Sequence, residues 1–481
     1  MVRRVWAHAF NMKTLIASLG FLFTVVSIPA ADAVQPCVVH EWGTFTSLQD
    51  ETGGAIGGIN TEDEPVPRFV HRLSSHFLLS PTEAPPHFFQ GTPSCHPDVT
   101  MRLETPVIYF HPPKGWKPQP IDVQVQFRGG WLTEFFPSAI ARAPGFDASR
   151  PDRTFVINTT DYVTGFGHLR GDAVGELSWK NVTLGAEGAG PETDEKVWLA
   201  PRDVSSAVLA TSDGEREKFL FYRGVGNVKA SLRVVRNAAA KTLEVRSEGA
   251  ADNLSVPAAW LVEVRRDGAC AFRSLGTLGA GVEPRVTVPD LFAGDAFSAE
   301  HLARLQGEMH TALTHAGLFA DEARALLRTW EVSYFKSPGL RLFYLVPRSR
   351  IDDLLPLKLS IPAETTRVMI GRIEIVTPVQ RALLAKIAAG PASDLSAMRG
   401  VTADSQSEFF KNPANVAKWN AVMNGTAHFR ELGLPMPELF TAYVDLDRFR
   451  NALLLDEQNR RPTAALAEFI SKNGFEGYKF E

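Results

Sequence analysis

The sequence predicts an α+β fold, an N-terminal antiparallel β-sandwich-like region followed by a mixed α/β and helical C-terminal region. Three observations predict it. Residues 121–127 alternate apolar and polar without a break, as a half-buried strand of an antiparallel sheet does. Asp267-Gly268 stands between two such runs; both residue types tolerate positive φ, so the pair marks a hairpin turn. Near residue 297 the apolar spacing becomes helical, with Leu302, Leu305, Met309 and Leu313 on one face.

The first segment is a secretory signal. Arg3 and Arg4, and again Lys13 after Met12, precede an apolar run over residues 15–28, and Ala31-Asp32-Ala33 offers small residues for cleavage. That order of charged, apolar and small residues defines a signal peptide over residues 1–33. The run is about 14 residues, short of the ~20 that span a bilayer as a helix. Pro36 stands before Cys37, where a lipoprotein signal needs a small residue. The expectation is an exported, soluble protein of the periplasm or the medium, with no membrane anchor after cleavage.

Cleavage leaves 448 of 481 residues, enough for a β-rich domain over 34–296 and an α/β to helical domain over 297–481. Strands are expected at 232–236 and 243–246, and on both sides of Asp267-Gly268. Ser298 caps a helix that Gly317 ends, and a second helix follows at 321–330. Strands come next at 340–346 and 367–376. Pro378 opens a helix that Gly390 closes. The formal net charge is −4 and falls to −6 once Arg3, Arg4, Lys13 and Asp32 leave with the signal. With no polybasic run, nucleic acid is not an expected partner. Three cysteines do not make a disulfide scaffold. Cys37 and Cys95 are a possible disulfide in an oxidising compartment, and Cys270 sits in a strand pattern as a buried small hydrophobe.

Standard catalytic motifs fail on spacing. His40-Glu41 would need a second His at 44 for a zinc-protease helix, and Thr44 is there. No Gly-x-Ser-x-Gly occurs. Ser333-Tyr334-Phe335-Lys336 has Ser-x-x-Lys spacing, but Ser337-Pro338-Gly339 would stop the helix that chemistry needs. One constellation remains. His40, Glu64 and His71 are candidate metal ligands and Glu41 a candidate general base, all close to the mature N-terminus. Imidazoles with carboxylates suit Zn²⁺ or another transition ion, and the acidic stretch around Glu64 suits Ca²⁺; the bland reading is a solvated acidic loop. A divalent metal is the one possible cofactor. Arg341, Arg348, Arg350, Arg367 and Arg372 cluster later in the chain beside Asp352, Asp353 and Glu374. They read either as ion pairs across neighbouring strands or as an anion site built on the guanidinium fork.

Four stretches, His40-Glu41-Trp42-Gly43-Thr44-Phe45-Thr46, residues 217–224, residues 342–357 and residues 367–378, together resemble a group of exported bacterial proteins of similar length to which no activity is assigned. The resemblance implies a bacterial, extracytoplasmic setting and no catalytic residues. Two functions fit the sequence. The favoured one is a non-catalytic binding or scaffold protein, since no coherent catalytic motif appears. The alternative is a secreted metal-dependent hydrolase with a His/carboxylate site near the mature N-terminus.

Overall fold

The computed structural model describes residues 35–61, 66–76, 88–157, 163–247, 255–279, 285–390, 410–423 and 438–480. The expected signal segment lies outside them. The fold is α+β. Its frame is a mixed sheet of 16 strands among the described residues. Eight of these position everything that follows: β1 (Cys37–Gln49), β2 (Met101–His111), β3 (Gly130–Phe136), β4 (Phe219–Gly226), β5 (Ser255–Val264), β6 (Cys270–Gly279), β7 (Gly339–Leu345) and β8 (Ala363–Ile375). They lie in the order β3-β4-β2-β1-β8-β7-β5-β6. Neighbours are antiparallel except β1 and β8, which run parallel from Cys37↔Ala363 to Gln49↔Ile375.

This pairing corrects the expected boundary at 296/297. Residues Pro36–Glu481 form one compact unit, because β1 lies between β2 and β8 and so ties the front of the chain to its second half. The change of period near 297 marks a change of elements within that unit.

Both faces of the sheet are covered. Trp42, Val107, Tyr109, Phe219, Phe221, Phe343 and Ile370 share one face, packed against α1 (Lys196–Arg202), α2 (Glu300–His315) and α3 (Ala320–Thr329). On the other face Val39, Phe45, Ile108, Phe110, Leu220 and Leu342 meet the strand Gln119–Arg128 and helical residues that include Leu384, Leu453 and Leu466. The alternation read at 121–127 is the burial pattern of that strand, with Ile121, Val123, Val125 and Phe127 buried. Asp267-Gly268 does turn β5 into β6, with Gly268 at φ 82°. In α2, Leu305, Met309 and Leu313 are the buried stripe. The helix expected after Thr377 runs Pro378–Ala389, with the Thr377 side chain accepting from the Gln380 N–H.

One irregularity decides what the helix-covered face displays. Between Trp42↔Val107 and Thr44↔Glu104 the β1/β2 register slips by one residue. Thr105 has φ 46° there, and a Cβ on Gly43 would stand 2.8 Å from Pro106 Cα. Such a bulge turns every later side chain of β2 to the opposite face. Tyr109 and Val107 point to the helices on one side of it; Glu104 and Arg102 do so on the other.

Candidate metal centre

His40 lies on β1 and His111 at the end of β2. The register sets His40 beside Tyr109 and Val38 beside His111, so the two imidazoles are diagonal neighbours on the helix-covered face, with ring centroids 5.3 Å apart. The first turn of α3 brings Glu322 onto them. His40 Nδ1 lies 2.7 Å from Glu322 Oε2, and His111 Nε2 lies 3.0 Å from Oε1. The Phe319 N–H also donates to Oε2, at 2.8 Å. Glu at this helix position normally reaches back to bond a free N–H at the helix start. Here the same carboxylate gathers two histidines as well.

Glu322 is fully buried, His40 is 3% exposed and the His111 side chain 14%. Burial alone would raise the Glu322 carboxyl, but the hydrogen bonds from His111 and His40 outweigh it and hold the group below its ordinary 4.5. The carboxylate is therefore ionised and only accepts, so both imidazoles donate to it. The half-exposed Phe319 ring covers the pair, 4.5 Å from His40 and 4.9 Å from His111. Behind them Tyr109 is buried and its hydroxyl donates to Pro201 O at 2.9 Å. Its pKa is pushed well up by burial and then by the negative charge of Glu322.

One donor atom from each of His40, His111 and Glu322 lies within 4.8 Å of the others. Two imidazoles and one carboxylate are a transition-metal donor set; Ca²⁺ and Mg²⁺ prefer all-oxygen shells. Donors on a tetrahedral ion at ~2.0–2.1 Å stand about 3.3 Å apart, which falls inside the 4.8 Å that bounds the three donor atoms here.

Most of the residues expected to form a site stand apart. Glu41 follows His40 on an extended strand and so points to the opposite face. It is fully buried there, accepting from the Tyr222 hydroxyl and from Arg367 Nε at 2.5 Å. Arg367 Nη1 also donates to Asp352, at 2.8 Å. Locked between one arginine and a phenol, Glu41 has no access to the His40 centre, and its role as general base is withdrawn. His71 is four strands from β1, about 19 Å along the sheet at ~4.8 Å per strand. It pairs with Glu215 at 2.8 Å and stacks on Phe135. Glu64 lies outside the described residues. Cys37 and Cys95 do not form a disulfide. Cys37 is fixed in the sheet, where burial pushes its thiol up to about 11, while Cys95 sits in a separate turn whose N–H donates to Asn60 O.

Of the described members of the intended set, then, only His40 belongs to the centre. His111 and Glu322 carried no local signal, because the partners of a strand histidine come from other elements. No protein-family model matches the chain, and no curated protein matches it.

Proposed function

We propose that this is an exported metalloprotein that holds one divalent transition ion on His40, His111 and Glu322, with hydrolysis as its reaction class. The observation that carries the reading is the convergence of three donor atoms from β1, β2 and α3 around a buried, ionised carboxylate. Structural zinc sites are closed by four protein ligands, whereas catalytic ones use three and leave a position open. Three ligands gather here among the described residues. An ion such as Zn²⁺ held by His40, His111 and Glu322 would supply Lewis acidity and would make a bound water more acidic. The chain's own part is to orient both imidazoles through Glu322 and to shelter the centre under Phe319. Export rests on the order of residues 1–33 and on the resemblance described above. No helix among the described residues is long and apolar enough to cross a membrane.

The test is metal content. The chain, expressed with its own signal and purified without chelator or affinity metal, is expected to carry about one equivalent of a transition ion by mass spectrometry. The His40→Ala, His111→Ala double variant is expected to carry none, and His71→Ala to match the wild type. A metal-free wild type that refuses added Zn²⁺, or a double variant that keeps its ion, overturns the proposal and returns the non-catalytic binding or scaffold role.

A further inference from the structure

After the turn at residues 316–319, α3 comes back against α2. His310 Nε2 on α2 donates to the carbonyl of Ala320, the first residue of α3, at 3.2 Å. Beside this bond the helices leave an open cleft of about 300 Å³, at the lower end of the ~300–1,000 Å³ range of small-molecule pockets. Gln306 and His310 line it from α2, and Arg324, Leu327, Arg328 and Glu331 from α3 and the turn after it. The first two residues stand at i and i+4, the other four at i, i+3, i+4 and i+7, so each set occupies one helix face. On a packed helix that spacing normally carries apolar side chains. Here Leu327 is the single apolar member, buried beneath the cleft. The two helices bury Met309, Leu313, Ala323 and Leu326 in the core, so their packing does not account for a polar stripe over a cavity.

The donors of that stripe are unspent. No hydrogen bond, ion pair or ring contact holds the Arg324 or Gln306 side chain among the described residues. Arg328 pairs with Asp203 through Nη1, and its Nε and Nη2 edge donates to nothing among the described residues. Glu331, in contrast, is held by Lys336 at 2.9 Å. It opens the segment Glu331–Lys336, wound as a π-helix, a rare form found mostly at functional sites.

We propose that this cleft binds a small monocarboxylate with a short apolar chain. Arg324 and Arg328 hold the carboxylate together with the Gln306 amide, and the chain lies on Leu327. The guanidinium fork matches the two oxygens of a carboxylate. Arg324 and Glu331 are seven residues apart, about 10 Å along the helix, so the Glu331 carboxylate stands at the far end and repels a second negative group there. The ligand therefore carries its charge at one end. Its carboxylate belongs either to a free organic acid or to the C-terminus of a peptide. None of the lining residues is a member of the His40 centre, and the site does not depend on a metal there.

Isothermal titration calorimetry tests it, on the signal-cleaved chain stripped of metal by chelator and dialysed, with butyrate as the probe. The expected result is saturable binding at millimolar butyrate and none of butyramide, which has the same chain without the charge. Arg324→Gln weakens butyrate by about tenfold or more, and Arg328→Gln by less, since Asp203 already shares that side chain. His111→Ala leaves binding unchanged, which separates the cleft from the metal reading. Succinate binds more weakly than butyrate, and Glu331→Gln removes the difference. N-acetyl-glycyl-leucine separates the two sources: tighter binding than butyrate identifies a peptide terminus, and equal or weaker binding a free acid. Arg324 is exposed, so its substitution leaves the fold intact. No saturable binding of butyrate, equal binding of butyramide, succinate as tight as butyrate in the wild type, or undiminished binding in Arg324→Gln overturns the proposal.

Discussion

His40 and Glu41 are consecutive on β1, and the sheet separates them completely. His40 faces the helices, touches a carboxylate and a second imidazole, and lies beneath a half-exposed ring. Glu41 faces the other core, fully enclosed, with a phenol and an arginine consuming its oxygens. The first arrangement leaves donor atoms that an ion can share; the second is saturated. On a strand, adjacency in sequence is the surest way to keep two side chains out of one site.

The comparison predicts different penalties. The largest belongs to Glu41→Gln, which leaves Arg367 buried with Asp352 alone. Removing one partner of a buried pair costs about 3–5 kcal/mol, to be read as a lower urea midpoint, with metal content unchanged. A loss under 1 kcal/mol would mean that the pair is not the anchor described. Glu322→Gln comes next. It replaces an ionised acceptor of three hydrogen bonds, for a loss of about 1.5–3 kcal/mol in chelated protein, and it abolishes stoichiometric metal. Metal retained at full occupancy would remove Glu322 from the ligand set.

The contribution of Glu322 also has a pH signature. Its folded carboxyl titrates below the ordinary 4.5, so the stability that it provides is fully present above that value and is lost as pH falls through the folded one. The gap between the wild type and Glu322→Gln, measured without metal, should hold constant from neutrality to about pH 5 and close below 4.5. A gap that does not close below 4.5 would remove the Glu322 carboxylate as its source. The smallest effect belongs to His71→Ala. Its pair with Glu215 is a third exposed on the histidine side, and such pairs contribute ~0–1 kcal/mol, with no change in bound metal.

Much of the fold was legible because its signals are local. The alternation at 121–127, the turn at Asp267-Gly268, the stripe on α2 and the cap at Thr377 are each complete within a few residues. The candidate centre was legible only at His40. His40 and Glu322 are 282 positions apart, and nothing near Glu322 separates it from an ordinary helix-start glutamate. The failure of Glu41 was readable in advance from strand geometry alone. The β2 bulge was not, since it depends on Gly43 meeting Pro106 across two strands. The arginine group shows ion pairs throughout: Arg348 pairs with Asp352, Arg350 with Asp353, Arg367 with Asp352, and Arg341 and Arg372 with Glu374.

The parallel pairing of β1 with β8 has a consequence for how the molecule is assembled. Glu41 and Arg367 are 326 positions apart, so the strand at the front of the folded unit gains its second neighbour only once the chain has reached residues 363–375. Until then β1 has one edge open, and the sheet is divided beside β1 and β2, on which both histidines lie. Closure over such sequence separation is slow, and a chain cut before residue 363 presents an unpaired central edge of the kind that drives aggregation.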